Sequence, residues 1–531
     1  MARTTLASWA ATASCLLGVA CGSATLRNTD GSANGGGGGA LGGTAGTKGG
    51  GGASGGSGAA RRDGGSSAAG HDGGVDGPTS DAMPAAPGTI LWARSGSAAF
   101  LTGVTEASTG VLVTGFTSSP ASLGGAILTP AGSTDAVIAE YAIADGSYLS
   151  SSRFGASSPA GTGVVWAYSI AVNPATAKPV ISGSSVCNPG GTPACNQIDV
   201  GLGLVTPGGG SGTDAFVGEY TVSTGQAVWV DRLEGPGNDY FQTALANGPN
   251  NTTLVGGYFD QSTTFATSGA SPMFIGGGDR DVFIAQLNSS GGIGMTKTFA
   301  DPAFEEVTSL AWTGSEIVAG GFLAGMATFG STMLSSMDFD VWIGKLAVSN
   351  GAPVWTVPLG GAGPDKYPYV AVDAQGNIYA AGTVSGTATF GTYGVGGAGG
   401  LDIFVVKLRN SDGGVIWATS FGSTGDDTAA NVAMNSSGEL LVSGTVSGPI
   451  ETGGPFAGGS DAVLAAFNGD GTRLWTKVIG STGIDYGSGV ASGTDAFYAN
   501  VNLAADIGPS IEGVPIQGES RPTGVLLKVK P

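Results

Sequence analysis

The chain has 531 residues, of which 100 are glycine and only 11% carry a charge, a composition that points away from a helical enzyme and towards short strands joined by many turns. Its 39 acidic and 20 basic residues give a net charge of −19, with no basic cluster or aromatic platform, which argues against nucleic-acid binding and for an acidic, soluble surface. The one histidine, His71, precedes the part expected to fold, so Ser/His/Asp, Cys/His and histidine-ligated metal sites are not expected there.

Residues 1–21 combine Arg3, an apolar stretch and small residues ahead of Cys21, the layout of an export signal that is too short and broken for a permanent membrane span. Gly18, Val19, Ala20 and Cys21 resemble the lipobox of bacterial lipoproteins, with Gly18 where that motif carries leucine. The resemblance implies acylation of Cys21, and Gly22 after it implies retention at the outer membrane; the plain alternative is an ordinary secretory signal. Residues 22–88 are nearly all Gly, Ala, Ser and Thr. They hold too little apolar surface to offset their ordering entropy, which predicts a flexible tether spanning roughly 40–45 Å.

From Thr89 to the end, one pattern recurs, and residues 370–422 show it most cleanly. Val370 and Val372 alternate with Ala371 and Asp373, which predicts a first strand. Asp373, Gly376 and Asn377 supply a tight reversal into a second strand at 378–384. A loop of variable length leads to a third strand at 402–408, and the turn at 411–414 leads to a fourth at 415–421. The third strand begins at Asp402, and its counterparts are Asp135, Asp214, Asp281, Asp340, Asp461 and Thr523, spaced by 79, 67, 59, 62, 59 and 62 residues in chain order. A single sheet of this size cannot bury both faces, and seven copies of four strands suit radial blades better than a solenoid.

The segments GNIYAAGTVSGTATFG at 376–391 and DIFVVKL at 402–408 resemble the bacterial seven-bladed beta-propeller repeat family, often found in secreted and surface proteins. Trp229, Trp355, Trp417 and Trp475 close fourth-strand motifs similar to the tryptophan-docking repeat of quinoprotein-type propellers. The resemblance implies a toroid with the first strand of each blade nearest the axis. The expected fold is therefore all-β: a seven-bladed β-propeller of four-stranded antiparallel blades over residues 89–531.

In chain order, Ile90 to Arg94 has the signature of a fourth strand with nothing like strands one to three before it, while the last copy ends after its third strand. The two deficits match, which predicts that 90–94 is the outermost strand of blade seven and closes the ring. Blade one takes 101–106, 111–116, 135–143 and 148–154. Blade two is the longest and carries Cys187 and Cys195 around a Pro/Gly turn, expected to form a local disulfide in an exported protein. Blades three to six follow the template. Blade seven has Val501 where others have glycine, flanked by Asn500 and Asn502, and no function is attached to this.

The candidates for chemistry are few. Loops of the form GxxGxD at 360–365, 422–427 and 480–485 place Asp365, Asp427 and Asp485 on one face, with Asp239 and Glu305 in the same register. They are weak calcium candidates, because that ion needs several converging oxygens, and the bland reading is that each acid caps its own turn. The fourth-strand tryptophans, including Trp92, are expected to pack the sheet interfaces rather than to form a sugar platform. No cofactor and no catalytic residue is expected. The expected role is a non-enzymatic, lipid-anchored envelope propeller that binds extracellular protein or polysaccharide. The alternatives are a periplasmic envelope-assembly scaffold and a polysaccharide hydrolase or lyase using paired carboxylates.

Overall fold

The computed structural model describes residues 85–158, 161–187, 197–206, 212–241, 245–266, 271–451, 453–505, 507–518 and 523–531. The expected export signal, Cys21, nearly all of the tether, and Cys195 lie outside these residues. Among the described residues, no helix is long and apolar enough to cross a membrane.

Seven antiparallel four-stranded sheets form a ring, the expected propeller. Blade one is Phe100–Glu106, Val111–Thr117, Asp135–Tyr141 and Tyr148–Phe154. Blade two is Val164–Val172, Pro179–Val186, Thr213–Tyr220 and Ala227–Glu234. In blade three the first strand is split into Asp239–Tyr240 and Leu245–Asn247, followed by Thr253–Phe259, Asp281–Leu287 and Ile293–Phe299. Blade four is Phe304–Trp312, Glu316–Phe329, Thr332–Ala347 and Pro353–Leu359. Blade five is Lys366–Val372, Ile378–Phe390, Tyr393–Leu408 and Val415–Phe421. Blade six is Thr428–Met434, Leu440–Val446, Asp461–Phe467 and Arg473–Ile479. Blade seven takes Tyr486–Ser492, Phe497–Asn502 and Gly524–Val529 from one end of the chain and Ile90–Gly96 from the other.

Second strands such as Val111–Thr117 and Leu440–Val446 are buried at every position, because each has a neighbouring blade on both faces. The apolar clusters follow from this. Each of the seven joins residues of two adjacent blades, as Ile343 and Leu359 of blade four join Val370 and Phe404 of blade five.

Closure is as expected: Ile90–Gly96 runs antiparallel to Gly524–Val529, with Ala93 opposite Leu527. Gly88 N–H donates to Lys530 C=O at 2.9 Å and Lys530 N–H to Thr89 C=O at 2.8 Å. The closing strand is not outermost, however. Val514–Gly518 pairs parallel with its free side, placing Ile516 opposite Ala93 and blunting an edge that would otherwise invite strand addition. The asparagines of blade seven also have a structural role. Asn502 accepts from Leu101 N–H and donates to Leu101 C=O, both at 2.8 Å, and Asn500 donates to Gly103 C=O at 3.1 Å, stitching blade seven to blade one.

The connections between second and third strands are less loop-like than the sequence suggested. In blades four and five both strands run on past a bulge, at Leu323/Gly325 and Ser385/Thr387, into a protruding hairpin. The extension keeps the strand alternation, with Ala388 and Phe390 buried beside exposed Thr387 and Thr389 in blade five. In blade three the hairpin Ser262–Ala266 and Met273–Ile275 crosses to the preceding blade, where Leu233 of blade two faces Phe265. In blade two, Gln197–Asp199, Leu204–Val205 and Ser157–Ser158 make a small separate sheet.

The opposite ends of the blades are locked by the repeated tryptophan. Trp92, Trp229, Trp355, Trp417 and Trp475 lie against Gly146, Gly291, Gly413, Gly471 and Gly88 of the next blade, where a Cβ would come within 2.7–3.0 Å of the indole. These glycines have φ between +67° and +86°, a region that glycine enters without steric cost. Trp92, Trp355 and Trp417 donate their indole N–H to Ile143, Asn410 and Gly469 C=O at 3.3, 3.0 and 3.0 Å. Lys528, Lys345 and Lys407 donate to the same three carbonyls. Gly88 belongs to the set although it lies at the far end of the chain from blade seven's third strand, so the turn geometry is kept even where no turn joins the strands.

Trp417→Ala is expected to lower unfolding free energy by about 3–5 kcal/mol in a denaturant titration, the range for deleting a packed aromatic. Deleting residues 89–96 is expected to lower the thermal midpoint by far more than a single core truncation does. An unchanged midpoint would contradict ring closure.

Candidate functional site

In an antiparallel meander, the connections from strand two to three and from strand four to the next blade leave on one face, and the short turns leave on the other. The protruding hairpins, the GxxGxD loops and Cys187 therefore share the long-connection face, while the tryptophan–glycine locks occupy the short-turn face. Cys187 is buried; its expected partner Cys195 is outside the described residues.

Asp365, Asp427 and Asp485 are brought to this face as the sequence suggested, but each is wholly buried and turned into its own junction. Asp365 accepts from Gly361 N–H at 2.6 Å and Ser385 N–H at 2.7 Å. Asp427 accepts from Ser423 N–H, from the Ser423 hydroxyl at 2.9 Å and from Ser447 N–H at 2.8 Å. Asp485 accepts from Ser481 N–H, from the Ser481 hydroxyl at 3.0 Å and from Ala504 N–H at 2.6 Å. Each carboxylate thus ties its loop to the second strand of its own blade, at the bulge in blade five and just past the strand end in blades six and seven. The motif glycine also has a cause: a Cβ at Gly360, Gly422 or Gly480 would meet the carboxylate of Asp340, Asp402 or Asp461 at 2.0–2.3 Å.

The loop acids also meet the acids that begin the third strands of the preceding blades. Backbone bonds set the register: Glu305, Asp365, Asp427 and Asp485 donate their N–H to the carbonyls of Arg280, Phe339, Leu401 and Ser460, the residues just before those strand acids. The resulting carboxyl neighbours are Asp214 with Asp239, Asp281 with Glu305, Asp340 with Asp365, Asp402 with Asp427, and Asp461 with Asp485. At the first junction Asp135 is instead met by Arg153 at 2.7 Å.

Burial, reinforced by the paired acid, pushes Asp239 up to about 9, Glu305 to about 8 and Asp365 to about 6, and burial with the nearby Asp260 and Asp301 pushes Asp281 to about 6. Asp427, Asp461 and Asp485 move the same way, also mainly through burial. Glu305 is the least satisfied. Among the described residues, only the Asp301 backbone N–H is directed at its carboxyl, and outside good hydrogen-bond geometry. Among the described residues no three acidic, histidine or cysteine side chains come together as a metal cluster.

A central opening of about 250 Å³ is lined by first strands, with Thr105, Ser169, Asn247, Ser309, Asn431 and Ser492 offering hydroxyls and amides. Among the described residues, no acidic, basic or histidine side chain lines it. The first strands of blades one, two, four, five, six and seven bulge near the axis, as at Leu101/Gly103 and Val307/Ser309. Hydroxyls cross these bulges to the next blade: Thr102 to Ala167 C=O at 2.9 Å, Thr308 to Pro368 C=O at 2.7 Å, and Ser488 to Leu101 C=O at 2.8 Å.

The most individual feature of the long-connection face is an aromatic and cationic cluster on blades three to five. Phe304, Phe322 and Phe339 have mutual ring-centroid distances of 5.2–5.8 Å, and Tyr367 lies 5.1 Å from Phe322. The Arg280 guanidinium sits 4.2 Å from the Tyr258 ring centre and 4.8 Å from that of Phe304, and it pairs with buried Glu306 at 2.9 Å. Lys366 Nζ lies 3.6 Å over Phe339. Tyr367 has φ +55°, a conformation that is strained for an aromatic residue. Sequence reasoning missed this cluster because its members come from three copies of the repeat. The available signal was Lys366 and Tyr367 directly after the loop acid, where the next blade has Thr428 and Ala429.

No family model matches the chain, and no curated protein does either. Among solved structures it is similar to the WD40 beta propeller domain of Doa1, 9% identical, covering 67% of this chain and 93% of that one with a TM-score of 0.30. It is similar to quinohemoprotein alcohol dehydrogenase from Comamonas testosteroni, 10% identical, covering 83% and 76% with a TM-score of 0.36. It is also similar to phage phi92 endosialidase, 9% identical, covering 84% and 69% with a TM-score of 0.34. At these identities the likeness is one of fold, and it carries no activity to this chain.

The raised carboxyls fix a pH dependence. A group whose pKa is higher folded than unfolded holds more protons in the native state, so its contribution is fully present below the unfolded value and is lost as pH rises through the folded one. For Asp239 and Glu305 that window runs from about 4 to about 9. The thermal midpoint is expected to be higher at pH 5 than at pH 8.5. Glu305→Gln is expected to flatten the profile, which separates the buried group from the general relief of the −19 net charge.

Proposed function

We propose that this protein is a non-enzymatic binding module of the cell envelope, which presents its long-connection face to an extracellular polysaccharide or protein. The observation that carries this reading is the cluster of half-buried Phe304, Phe339, Tyr367, Arg280 and Lys366 gathered around buried Phe322. Aromatic faces and cationic groups together suit hydroxyl-rich or anionic polymers, and they stand out on an otherwise acidic chain. The rest of the face supports a binding role: the connections differ from blade to blade while the ring beneath them repeats, which is how a rigid scaffold carries variable recognition. The loop acids are buried inside the junctions, where Asp365, Asp427 and Asp485 accept bonds from their own loops, and the central opening is lined by hydroxyl and amide side chains. Neither arrangement favours acid–base chemistry on a polymer.

In this reading the chain is exported, Cys21 carries lipid and residues 22–88 hold the ring clear of the bilayer. Labelled palmitate should enter the wild type and not Cys21→Ala, and protease shaving of intact cells should remove the ring if it is displayed outside. Protection from shaving would favour the periplasmic scaffold.

Binding is tested by affinity electrophoresis through gels containing matrix polysaccharide from the producing cells, with crosslinking on native envelopes as the arm for protein partners. Wild type is expected to be retarded or crosslinked, and the double variant Phe339→Ala/Lys366→Gln to lose at least half of that signal with its fold intact. Equal behaviour of the two would remove the cluster from the binding site, and release of reducing ends would instead support a hydrolase.

A further inference from the structure

Blades three and four meet at a buried carboxyl that the chain does not satisfy. Glu305 is 0% exposed, and among the described residues neither of its oxygens has a hydrogen-bond partner. Asp281 is equally buried and in the same state at Oδ1, while its Oδ2 accepts from Gly277 N–H at 3.0 Å. The backbone brings the two acids together. Arg280 lies opposite Phe304 in a parallel bridge, and Glu305 N–H donates to Arg280 C=O at 2.9 Å. Asp281 and Glu305 are the next opposed residues, so their side chains leave the same face of neighbouring strands, about 5 Å apart at their origins. Arg280, Phe304 and Glu306 leave the opposite face, where the guanidinium pairs with Glu306.

The other acid-bearing junctions are better served. Asp239 accepts from the Thr263 hydroxyl at 3.1 Å, and Asp365, Asp427 and Asp485 accept from their own loops. At the first junction the chain itself supplies a cation, Arg153, to Asp135. Glu305 has neither, and a buried polar group without a partner calls for a ligand. Further oxygens stand close by. A Cβ at Gly276 would come within 2.5 Å of Asp281 Oδ2, one at Gly277 within 2.5 Å of Ala300 C=O, and one at Gly278 within 2.2 Å of Ala303 C=O and 2.6 Å of Asp301 C=O. Three consecutive glycines thus let the loop before Asp281 lie against the carbonyls of the loop before Glu305. Asp301 adds negative charge beside both acids.

We infer that Asp281 and Glu305 hold one Ca(II) ion in the wall between blades three and four, with carbonyl oxygens of the 300–303 loop in its shell. The donors are hard oxygens, anionic and neutral, and calcium takes about six to eight of these at about 2.3–2.6 Å in flexible geometry. Zinc and Cu(I) favour nitrogen and sulfur, and magnesium keeps several waters, which suits an open site rather than a buried one. The two charges of the ion match the two carboxylates and do for this junction what Arg153 does for the first. The site is independent of the polymer-binding reading, lying on the opposite face of these strands from Arg280 and Phe304.

The test is calorimetric titration of the EGTA-stripped full chain with CaCl2 at pH 8, against MgCl2, for wild type, Glu305→Gln and Asp281→Asn. Wild type is expected to bind one Ca(II) with Kd below about 10⁻⁴ M and Mg(II) at least about tenfold more weakly. Its thermal midpoint at pH 8.5 is expected to rise on saturation with calcium. Both variants are expected to bind calcium at least about tenfold more weakly and to show no such rise. Calcium-free melts at pH 5, where Glu305 holds its proton and glutamine replaces it closely, confirm the fold. If Glu305→Gln does not fold, Asp281→Asn carries the comparison. Absence of heat and of a midpoint shift in wild type at millimolar calcium would overturn the site. Equal calcium binding by wild type and the variants would overturn it too, placing the ion elsewhere on the acidic chain, and equal affinity for magnesium would overturn the choice of ion.

Discussion

Each apolar core in this molecule belongs to two sheets. Ile343 of blade four and Phe404 of blade five lie in one cluster, Tyr379 of blade five and Val463 of blade six in the next, and so on around the ring. A blade removed from its neighbours would expose both faces of a sheet whose second strand is buried throughout. The ring is therefore one cooperative body, in which the joint at the chain ends completes cores on both sides of blade seven.

Two sets of polar contacts brace these cores at opposite rims. On the short-turn rim an indole lies on a glycine of the next blade, and in three junctions the indole and a lysine share one carbonyl. On the long-connection rim an acid from one blade meets an acid from the next under a backbone hydrogen bond. The rims differ in kind. The indole contact is favourable at any pH, whereas a pair of buried acids is stable only when it retains a proton or gains a compensating charge. Chemistry and adaptability are thus concentrated on the rim that also carries the hairpins and the aromatic cluster.

Much of this was legible in the chain because the repeat is short and its turns are chemically explicit. The acids that begin the third strands, the Asp/Gly/Asn turns and the fourth-strand tryptophans fix strand number and order, and the unmatched strand at Ile90 identified the closure. The finer features were hidden for physical reasons. The hairpins of blades four and five read as loops because glycines interrupt the apolar alternation, although Ala388 and Phe390 kept it. The addition of Val514–Gly518 outside the closing strand depends on a parallel pairing that no turn announces. The loop acids lie where the motif placed them, but their burial follows from the contact with the preceding blade, which a single copy does not contain. The aromatic cluster was invisible for the same reason: Tyr258, Phe322 and Tyr367 are ordinary strand residues until three blades are brought together.

The closing joint also imposes an order in time. Ile90–Gly96 is made first and its partner Gly524–Val529 last, roughly 430 residues later, and contacts of such separation slow folding. While the chain is being synthesised from its N-terminus, the growing array of blades has an unfinished apolar flank at each end, and the waiting strand is an unpaired edge. Only the arrival of the last strand removes all three hazards at once. The yield of native protein is therefore set by how long the ring stands open as well as by how stable it is once shut.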